Sequence, residues 1–409
     1  MYLSGSRWSM TRRKRRANPL RLIVLIAAVG VMLYVNQFVV PNTPPLFVPT
    51  PTPTRSPESF LQEARAFAAE GRFTQAEAAY QQALQADPKN ITIYLELARL
   101  QALYGKYAEA QKNAENAILL NPNSSLAHAI HGWALGLQGE YLPAQAELNK
   151  AIEIEPGNGL AYAYLAEVLA LQKIEGKDDP TTLEKAIEAS RKAVELAPDQ
   201  MESYRARGYV LEITSNYADA VVAFQQAIAL NDNLADLHLA LGRNYKAQDI
   251  YDKAIEEFNK AIALRPDDPR PYVETALTYL RYGEYAKAAQ YAEQAIQQDP
   301  TDPFLYGYLG TIHYRTSNYN QAVKFLRLAT RGGLSETGAT VQGLPLDATS
   351  QYLYTRYGIS LAYVGECGEA LQISQALQQA FPDDQVNLDN AAEIVRICET
   401  GGASPTPTP

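Results

Sequence analysis

The sequence repeats itself at a fixed interval, and that interval leaves few folds open. A pattern of Gly or Ala, then Ala twelve residues on, Ala seven later and Pro five later recurs along the chain. Its nine segments begin at Pro57, Ile91, Ser125, Gly159, Met201, Ala235, Pro269, Pro303 and Gln351, in steps of 34, 34, 34, 42, 34, 34, 34 and 48 residues. Such a period is the signature of stacked helical hairpins, none of which can bury its apolar face alone. The first small position holds Ala64, Ala98, Gly132, Ala166, Gly208, Gly242, Ala276, Gly310 and Gly358. The second is Ala in all nine segments, from Ala76 to Ala370, and the third is Ala in eight, with Leu377 in the ninth. Small side chains at matched places let paired helices approach closely while aromatics fill the space between them.

The chain carries 27 Tyr against 10 Phe, and the excess is positional. Phe60, Tyr94, Tyr162, Tyr204, Tyr272, Tyr306 and Tyr354 share the fourth position of their segments. Phe73, Tyr107, Tyr141, Tyr217, Tyr251, Tyr285 and Tyr319 share the seventeenth, just after the turn inside each hairpin. Pro88, Pro122, Pro156, Pro198, Pro266, Pro300 and Pro382 end second helices. On these residues the chain resembles the tetratricopeptide repeat family, with a match over residues 57–384. The resemblance implies an all-α chain, a right-handed α-solenoid of about nine hairpins, and a protein-binding role.

Two segments depart from the period. The fourth has eight extra residues around Lys173 to Thr182, where Asp179-Pro180 reads as a fresh helix start. The eighth lacks its closing Pro and runs into a Gly- and Thr-rich loop insertion at 331–350, the largest unstructured stretch expected between helices. Repeats one to eight thus occupy 57–330 and the ninth 351–384; 385–398 continues the helical period as a capping helix.

The N-terminus reads as a membrane anchor. Arg12, Arg13, Lys14, Arg15, Arg16 and Arg21 lie in a basic segment, 1–21, ahead of an uncharged stretch at 22–40. Nineteen helical residues span roughly 28 Å, close to the hydrocarbon thickness of a bilayer. A cleaved signal peptide is the competing reading, but no Ala-x-Ala-like site stands between Tyr34 and Ser56. The preceding positive charge predicts a single-pass chain with its N-terminus cytoplasmic and its repeats extracytoplasmic, in a bacterial envelope. Residues 41–56 form a Pro/Thr-rich stalk and 399–409 a disordered Pro/Thr tail.

Charge and composition exclude several functions. Residues 1–57 hold eight of the 36 basic side chains and no acid, so the rest of the chain carries 28 basic against 45 acidic. An acidic body argues against nucleic acid as partner, since phosphate binding needs a basic face. His128, His131, His238 and His313 all fall on packing positions rather than in a ligand set, so no metal or cofactor is expected. The chain has no His-Glu-x-x-His, no Gly-x-Ser-x-Gly and no Gly-rich phosphate loop, and nothing argues for an enzyme.

In the family resembled, the concave face is lined by first-helix positions two, five, six, nine and thirteen. Those positions supply Trp133, Tyr164, Tyr209, Tyr308 and Tyr352, with Arg205, Arg243, Arg270, Arg281, Arg315 and Arg356. Aromatics and Arg often dominate binding energy at interfaces. Two readings follow: the arginines take an acidic or C-terminal-carboxylate peptide, or they pair with the interleaved Glu167, Glu212 and Glu274. The family's Lys/Asn clamp for chaperone tails is not reproduced; Ala240 stands where a clamp asparagine would be.

Cys367 and Cys398 are the only cysteines. In stacked antiparallel helices the end of one lies beside the start of its predecessor, which brings the two thiols toward bridging distance. The alternatives are a disulfide closing a loop of about 30 residues, contributing roughly 3 kcal/mol, or two unpaired buried thiols. The expectation for the whole chain is a non-catalytic interaction scaffold at the membrane, of undetermined oligomeric state. A cytosol-facing receptor for chaperones or precursor proteins, or an accessory subunit of an envelope enzyme, are the alternatives.

Overall fold

The computed structural model describes residues 18–39 and 55–401. Most of the basic segment, most of the stalk and nearly all of the Pro/Thr tail lie outside the described residues. Two units follow along the chain. The first holds helix α1 (Pro19–Tyr34), which starts behind Asn18, whose side chain accepts the Leu20 N–H. A π-helical turn, Val35–Val39, prolongs it. Pro19–Phe38 has a mean hydropathy of 2.0 and no buried share, and is long and apolar enough to cross a membrane.

The second unit is an α-solenoid. Its hairpins are α2 (Pro57–Ala69) with α3 (Phe73–Ala86), α4 (Ile91–Leu103) with α5 (Tyr107–Leu120), and α6 (Ser125–Leu137) with α7 (Tyr141–Ile154). Then come α8 (Gly159–Ile174) with α9 (Thr182–Leu196), α10 (Met201–Ile213) with α11 (Tyr217–Leu230), and α12 (Ala235–Ala247) with α13 (Tyr251–Leu264). The last are α14 (Pro269–Tyr282) with α15 (Tyr285–Gln298), α16 (Pro303–Arg315) with α17 (Tyr319–Arg331), and α18 (Gln351–Tyr363) with α19 (Cys367–Ala380), covered by α20 (Gln385–Thr400). Apolar side chains form successive clusters along the stack rather than one centre.

Within a hairpin the helices meet at the eighth position. A Cβ added at Gly132 would stand 2.7 Å from Leu148 and 2.8 Å from the Ala144 carbonyl. At Gly208 and Gly242 it would stand 2.7 and 2.4 Å from the rings of Phe224 and Phe258, and at Gly310 2.6 Å from Leu326. These opposing residues all hold position 24 of their segments. Where position eight is Ala98, Ala166 or Ala276, position 24 is the small Ala114, Ser190 or Ala292, while the first hairpin combines Ala64 with the large Tyr80. In the seven hairpins between the first and the ninth, one volume is filled from one side or the other, as close packing requires.

The fourth position joins most hairpins to the one before. Tyr94, Tyr272 and Tyr306 donate their hydroxyls to the carbonyls of Pro88, Pro266 and Pro300, at 3.3, 3.1 and 2.9 Å. His128 and His238 make the same contact through Nε2, to the carbonyls of Pro122 and Asp232 at 3.0 and 3.1 Å. Their Nδ1 atoms meet Glu147 and Glu257 at 2.5 and 2.6 Å. His313 stacks on Phe325 with ring centroids 5.5 Å apart. A chain carbonyl left open after a second helix is thereby satisfied, which favours Tyr over Phe at Tyr94, Tyr272 and Tyr306.

The two irregular segments differ from the sequence reading in detail. α8 runs to Ile174, absorbing part of the insertion, and α9 starts at Thr182 rather than at Pro180. Asp179 instead accepts the Thr181 N–H and hydroxyl, and its own N–H reaches the Thr182 hydroxyl, so the Asp-Pro pair shapes the turn. The 331–350 insertion is not structureless: β1 (Gly333–Leu334) pairs antiparallel with β2 (Thr340–Val341), and Val341 is buried. Tyr354 holds it by donating toward the carbonyls of Thr330 and Leu344 at 3.1 and 2.6 Å. At the C-terminal end Cys367 and Cys398 are joined, with their Cα atoms 5.6 Å apart, tying α20 to the start of α19.

Tyr306→Phe is expected to cost about 1 kcal/mol in urea unfolding, since it leaves the Pro300 carbonyl unpaired. Tyr204→Phe is the control: its hydroxyl makes no hydrogen bond to the described residues, and the change should stay within about 0.5 kcal/mol.

Candidate functional site

First-helix side chains of successive hairpins face the inside of the solenoid, and between α4 and α14 they enclose a cavity of about 600 Å³. The enclosure comes from contacts across the superhelical turn. Arg99 on α4 donates from Nε and Nη2 to both carboxylate oxygens of Glu202 on α10, at 2.5 and 2.8 Å, and also to Gln200 at 3.3 Å. Asn233 donates its amide to the Ala69 carbonyl at 2.9 Å, bridging 164 residues of sequence. The Arg265 guanidinium lies 5.2 Å from the centre of the Tyr104 ring, and Phe73 and Leu103 pack against the cluster built on α10 to α13.

Trp133 on α6 forms one wall. It stacks on Tyr164 with centroids 4.4 Å apart and an interplanar angle of 3°, and the Arg205 guanidinium lies 4.8 Å from its ring. Arg205 is buried and paired with buried Glu167 at 2.6 Å. Arg243 forks onto Glu212 at 2.9 and 3.1 Å, and Arg270 reaches Asp268 and Asp236 at 2.6 and 2.8 Å. Glu274 pairs with Lys246 rather than with an arginine. The cavity's guanidiniums are thus matched by carboxylates of the chain itself. Arg205 Nε, buried in its wall, makes no hydrogen bond among the described residues, whereas the Trp133 indole N–H stands close enough to the Glu167 carboxylate to favour its charged form. A donor such as Arg205 Nε needs an acceptor from water or a ligand, because an unmade buried hydrogen bond is costly.

The buried carboxylates differ in electrostatics. Burial raises Glu202, but the charges of Arg99 and Arg205 with the Arg99 hydrogen bonds outweigh it and hold the carboxyl below its ordinary value. Glu167 ends above the ordinary value, since burial, with repulsion from Glu202 added, exceeds what Arg205 and the Trp133 N–H return.

The structure gathers Trp133, Arg205, Tyr209, Arg243 and Arg270 at this cavity. Tyr164 lies wholly buried beneath Trp133 and presents no surface. Tyr352 and Arg356 line a separate cavity of about 360 Å³ beside α18 and α20. Tyr308 is half-buried near Tyr352, while Arg281 and Arg315 are exposed. The sequence reading missed Arg99, Glu202, Tyr107, Tyr217 and Asp236. Arg99 holds the same ninth position as Trp133, Glu167 and Arg243, and Glu202 the same second position as Arg270, so repeat register alone contained them.

Family comparison agrees with this architecture. Two tetratricopeptide repeat family models match, one at residues 67–134 and 279–332, the other at 228–301. The chain is a tetratricopeptide repeat protein. Its solenoid is similar to Pseudomonas aeruginosa pilF at 22% identity, over 51% of this chain and 91% of that one, with a TM-score of 0.42. It is also similar to PilW, a type IV pilus biogenesis factor, at 20% identity over 50% and 91%, TM-score 0.45. A tetratricopeptide repeat protein from Parabacteroides merdae aligns at 16% identity over 63% and 98%, TM-score 0.40. No curated protein matches the chain.

Arg99→Met leaves Glu202 buried without its main counter-charge and should cost about 3 kcal/mol. The native pair's contribution is complete above the unfolded Glu value of about 4.3 and is lost as pH falls through the lower folded value. In the variant the sign reverses, because the stranded carboxylate is relieved by protonation. Urea midpoints of both proteins between neutral and acid pH measure the difference.

Proposed function

We propose that this tetratricopeptide repeat protein is a non-catalytic scaffold, tethered at a membrane by α1, that takes a segment of a partner protein into its concave side. The observation that carries this reading is the convergence of Trp133, Arg205 and Tyr209 on one cavity whose wall holds the buried Arg205 Nε, unpaired among the described residues. A preformed, aromatic-walled cavity with a few unpaired polar groups is the arrangement that fixes a ligand's orientation. The charge balance inside the ring favours an uncharged or internally balanced segment there, an apolar anchor with backbone carbonyls, over an acidic one. The basic cluster ahead of α1 favours an extracytoplasmic solenoid, and the joined Cys367 and Cys398 suit an oxidising compartment.

A photo-crosslinking side chain in place of Tyr209, in the full-length protein in its own membrane, is expected to give one discrete protein adduct. The same group at exposed Lys150, on a second helix, should give none. Equal labelling from both positions would remove the groove reading. Blocking free thiols with a maleimide in denaturant before and after reduction tests the compartment: Cys367 and Cys398 should become reactive only after reduction. Cys398→Ser should then cost about 3 kcal/mol, read as earlier urea unfolding.

A further inference from the structure

Helix α10 takes part in two cavities. Its Arg205, Tyr209 and Glu212 face the chamber, whereas its Tyr204, Arg207 and Leu211 line a separate cavity of about 350 Å³ shared with the second helices α9 and α11. Arg191 and Val194 come from α9, and Asp219, Val222, Ala223 and Gln226 from α11. We propose that this cavity binds a phosphate monoester carried on an apolar group, the headgroup chemistry of a lipid phosphate, with Arg191 and Arg207 as joint counter-ions. The proposal does not depend on what occupies the chamber.

The repeat register marks Arg207. It holds the seventh position, where four other repeats carry Leu97, Leu165, Leu241 and Leu309. Leu97, Leu241 and Leu309 are buried there, so the fold asks for a packing leucine and a guanidinium adds a desolvation cost. Its one hydrogen bond among the described residues runs from Nη1 to the Ser190 hydroxyl at 3.1 Å. Burial and the neighbouring Arg191 charge push it below its ordinary value, against the pull of Asp219.

Arg191 faces the same space and makes no hydrogen bond or ion pair among the described residues. Two acids within electrostatic reach of the pair, Glu188 and Asp219, are engaged elsewhere. Glu188 pairs with Lys192 at 2.9 Å, and Asp219 accepts the Asn216 amide at 2.7 Å. Two guanidiniums thus stand together unneutralised in a body of 28 basic against 45 acidic side chains. A single carboxylate would match only one of them. A phosphate monoester carries about −1.5 to −2 charge at neutral pH and three acceptor oxygens, enough for both forks.

The remaining wall sets what carries the phosphate. Val194, Leu211, Val222 and Ala223 are apolar, and Val222 is 52% exposed, so an alkyl group entering here removes apolar surface from water. Tyr204 adds a free donor: Tyr94, Tyr272 and Tyr306 give their hydroxyls to chain carbonyls, but the Tyr204 hydroxyl makes no hydrogen bond among the described residues. Helix α1 is long and apolar enough to cross a membrane, and a bilayer is a source of phosphates on apolar carriers.

The test uses the full-length protein in a maltoside detergent and saturation-transfer NMR titrations with n-butyl phosphate. Affinity should fall about tenfold or more in Arg191→Gln and in Arg207→Leu. Arg207→Leu supplies the side chain that four other repeats hold at this position, so it should keep the fold. Binding should also weaken as pH falls below about 6, where the monoester loses its second charge. Butyrate and an amidated Ac-Ala-phosphoserine-Ala peptide should each bind about tenfold more weakly than butyl phosphate, the first for want of charge and the second for want of an alkyl group. Dihexanoyl phosphatidic acid should displace the probe, and dihexanoyl phosphatidylcholine, whose phosphate is a diester, should not. Absence of butyl phosphate binding, affinity unchanged in both variants, or equal binding by butyrate or the phosphopeptide would overturn the proposal. So would displacement by inorganic phosphate at the same concentration, since the apolar wall would then contribute nothing.

Discussion

The eighth position of each hairpin is the contact on which the rest of the solenoid depends. There the first helix comes so near the second that a Cβ at Gly132, Gly208, Gly242 or Gly310 would lie within 2.7 Å of the facing side chain. In seven hairpins that volume is filled once: Gly faces Leu148, Phe224, Phe258 or Leu326, while Ala faces Ala114, Ser190 or Ala292. The two end hairpins depart from this, and in the first Ala64 is matched with the large, buried Tyr80. Gly358 faces small Ser374, and Ile394 of the capping helix enters the vacancy, with its Cδ1 2.6 Å from where a Cβ would be. A constant helix-to-helix distance then holds each first helix at a fixed rotation, which puts positions two, five, six and nine on the inner surface.

Rotations between hairpins accumulate, and after a few repeats the stack meets itself. What it meets with is polar: a guanidinium on Glu202, an asparagine amide on the Ala69 carbonyl, and Arg265 over Tyr104. Apolar contacts from Phe73 and Leu103 add to these. A charge such as Glu202 is tolerated without exposure because both its oxygens are taken by one planar fork. Closure converts an open groove into a chamber with a definite volume, and charge balance inside it follows. Where a guanidinium is buried, as at Arg205, it needs a carboxylate at hand.

Much of this was legible in the sequence, in proportion to how local the cause is. The 34-residue period, the matched small positions and the aromatic positions report contacts between adjacent helices, and the hairpins stand where they predict. The fifteenth position was equally available: it is left-handed at Gly71, Gly105, Gly139, Gly283 and Gly365, and at Ser215, Asp249 and Ser317, where a side chain tolerates that conformation. The pairing of Arg99 with Glu202 was not legible, because it spans 103 residues and depends on a summed rotation that no single repeat encodes. The hairpin inside 331–350 was hidden for another reason. Its strands are two residues long, too short to show a period, and are fixed by the Tyr354 hydroxyl from outside the loop.

The two ends of the inner surface therefore use the same residue types for opposite purposes. In the ring, Arg205, Arg243 and Arg270 are spent on the chain's own carboxylates, so they shape the chamber and leave little net field for a charged ligand. Within that set Glu167 is the weak member, since its burial outweighs its partner and favours the protonated form more than in water. A ligand oxygen arriving at the unpaired Arg205 Nε would share the guanidinium with it and lower the demand on that pair. At the ninth repeat no carboxylate pairs with Arg356 among the described residues, and Arg315 adds to its charge instead of balancing it. The same guanidinium thus serves packing where a carboxylate faces it and stays a surface charge where none does, and what separates the two is the residue that the superhelical turn brings opposite.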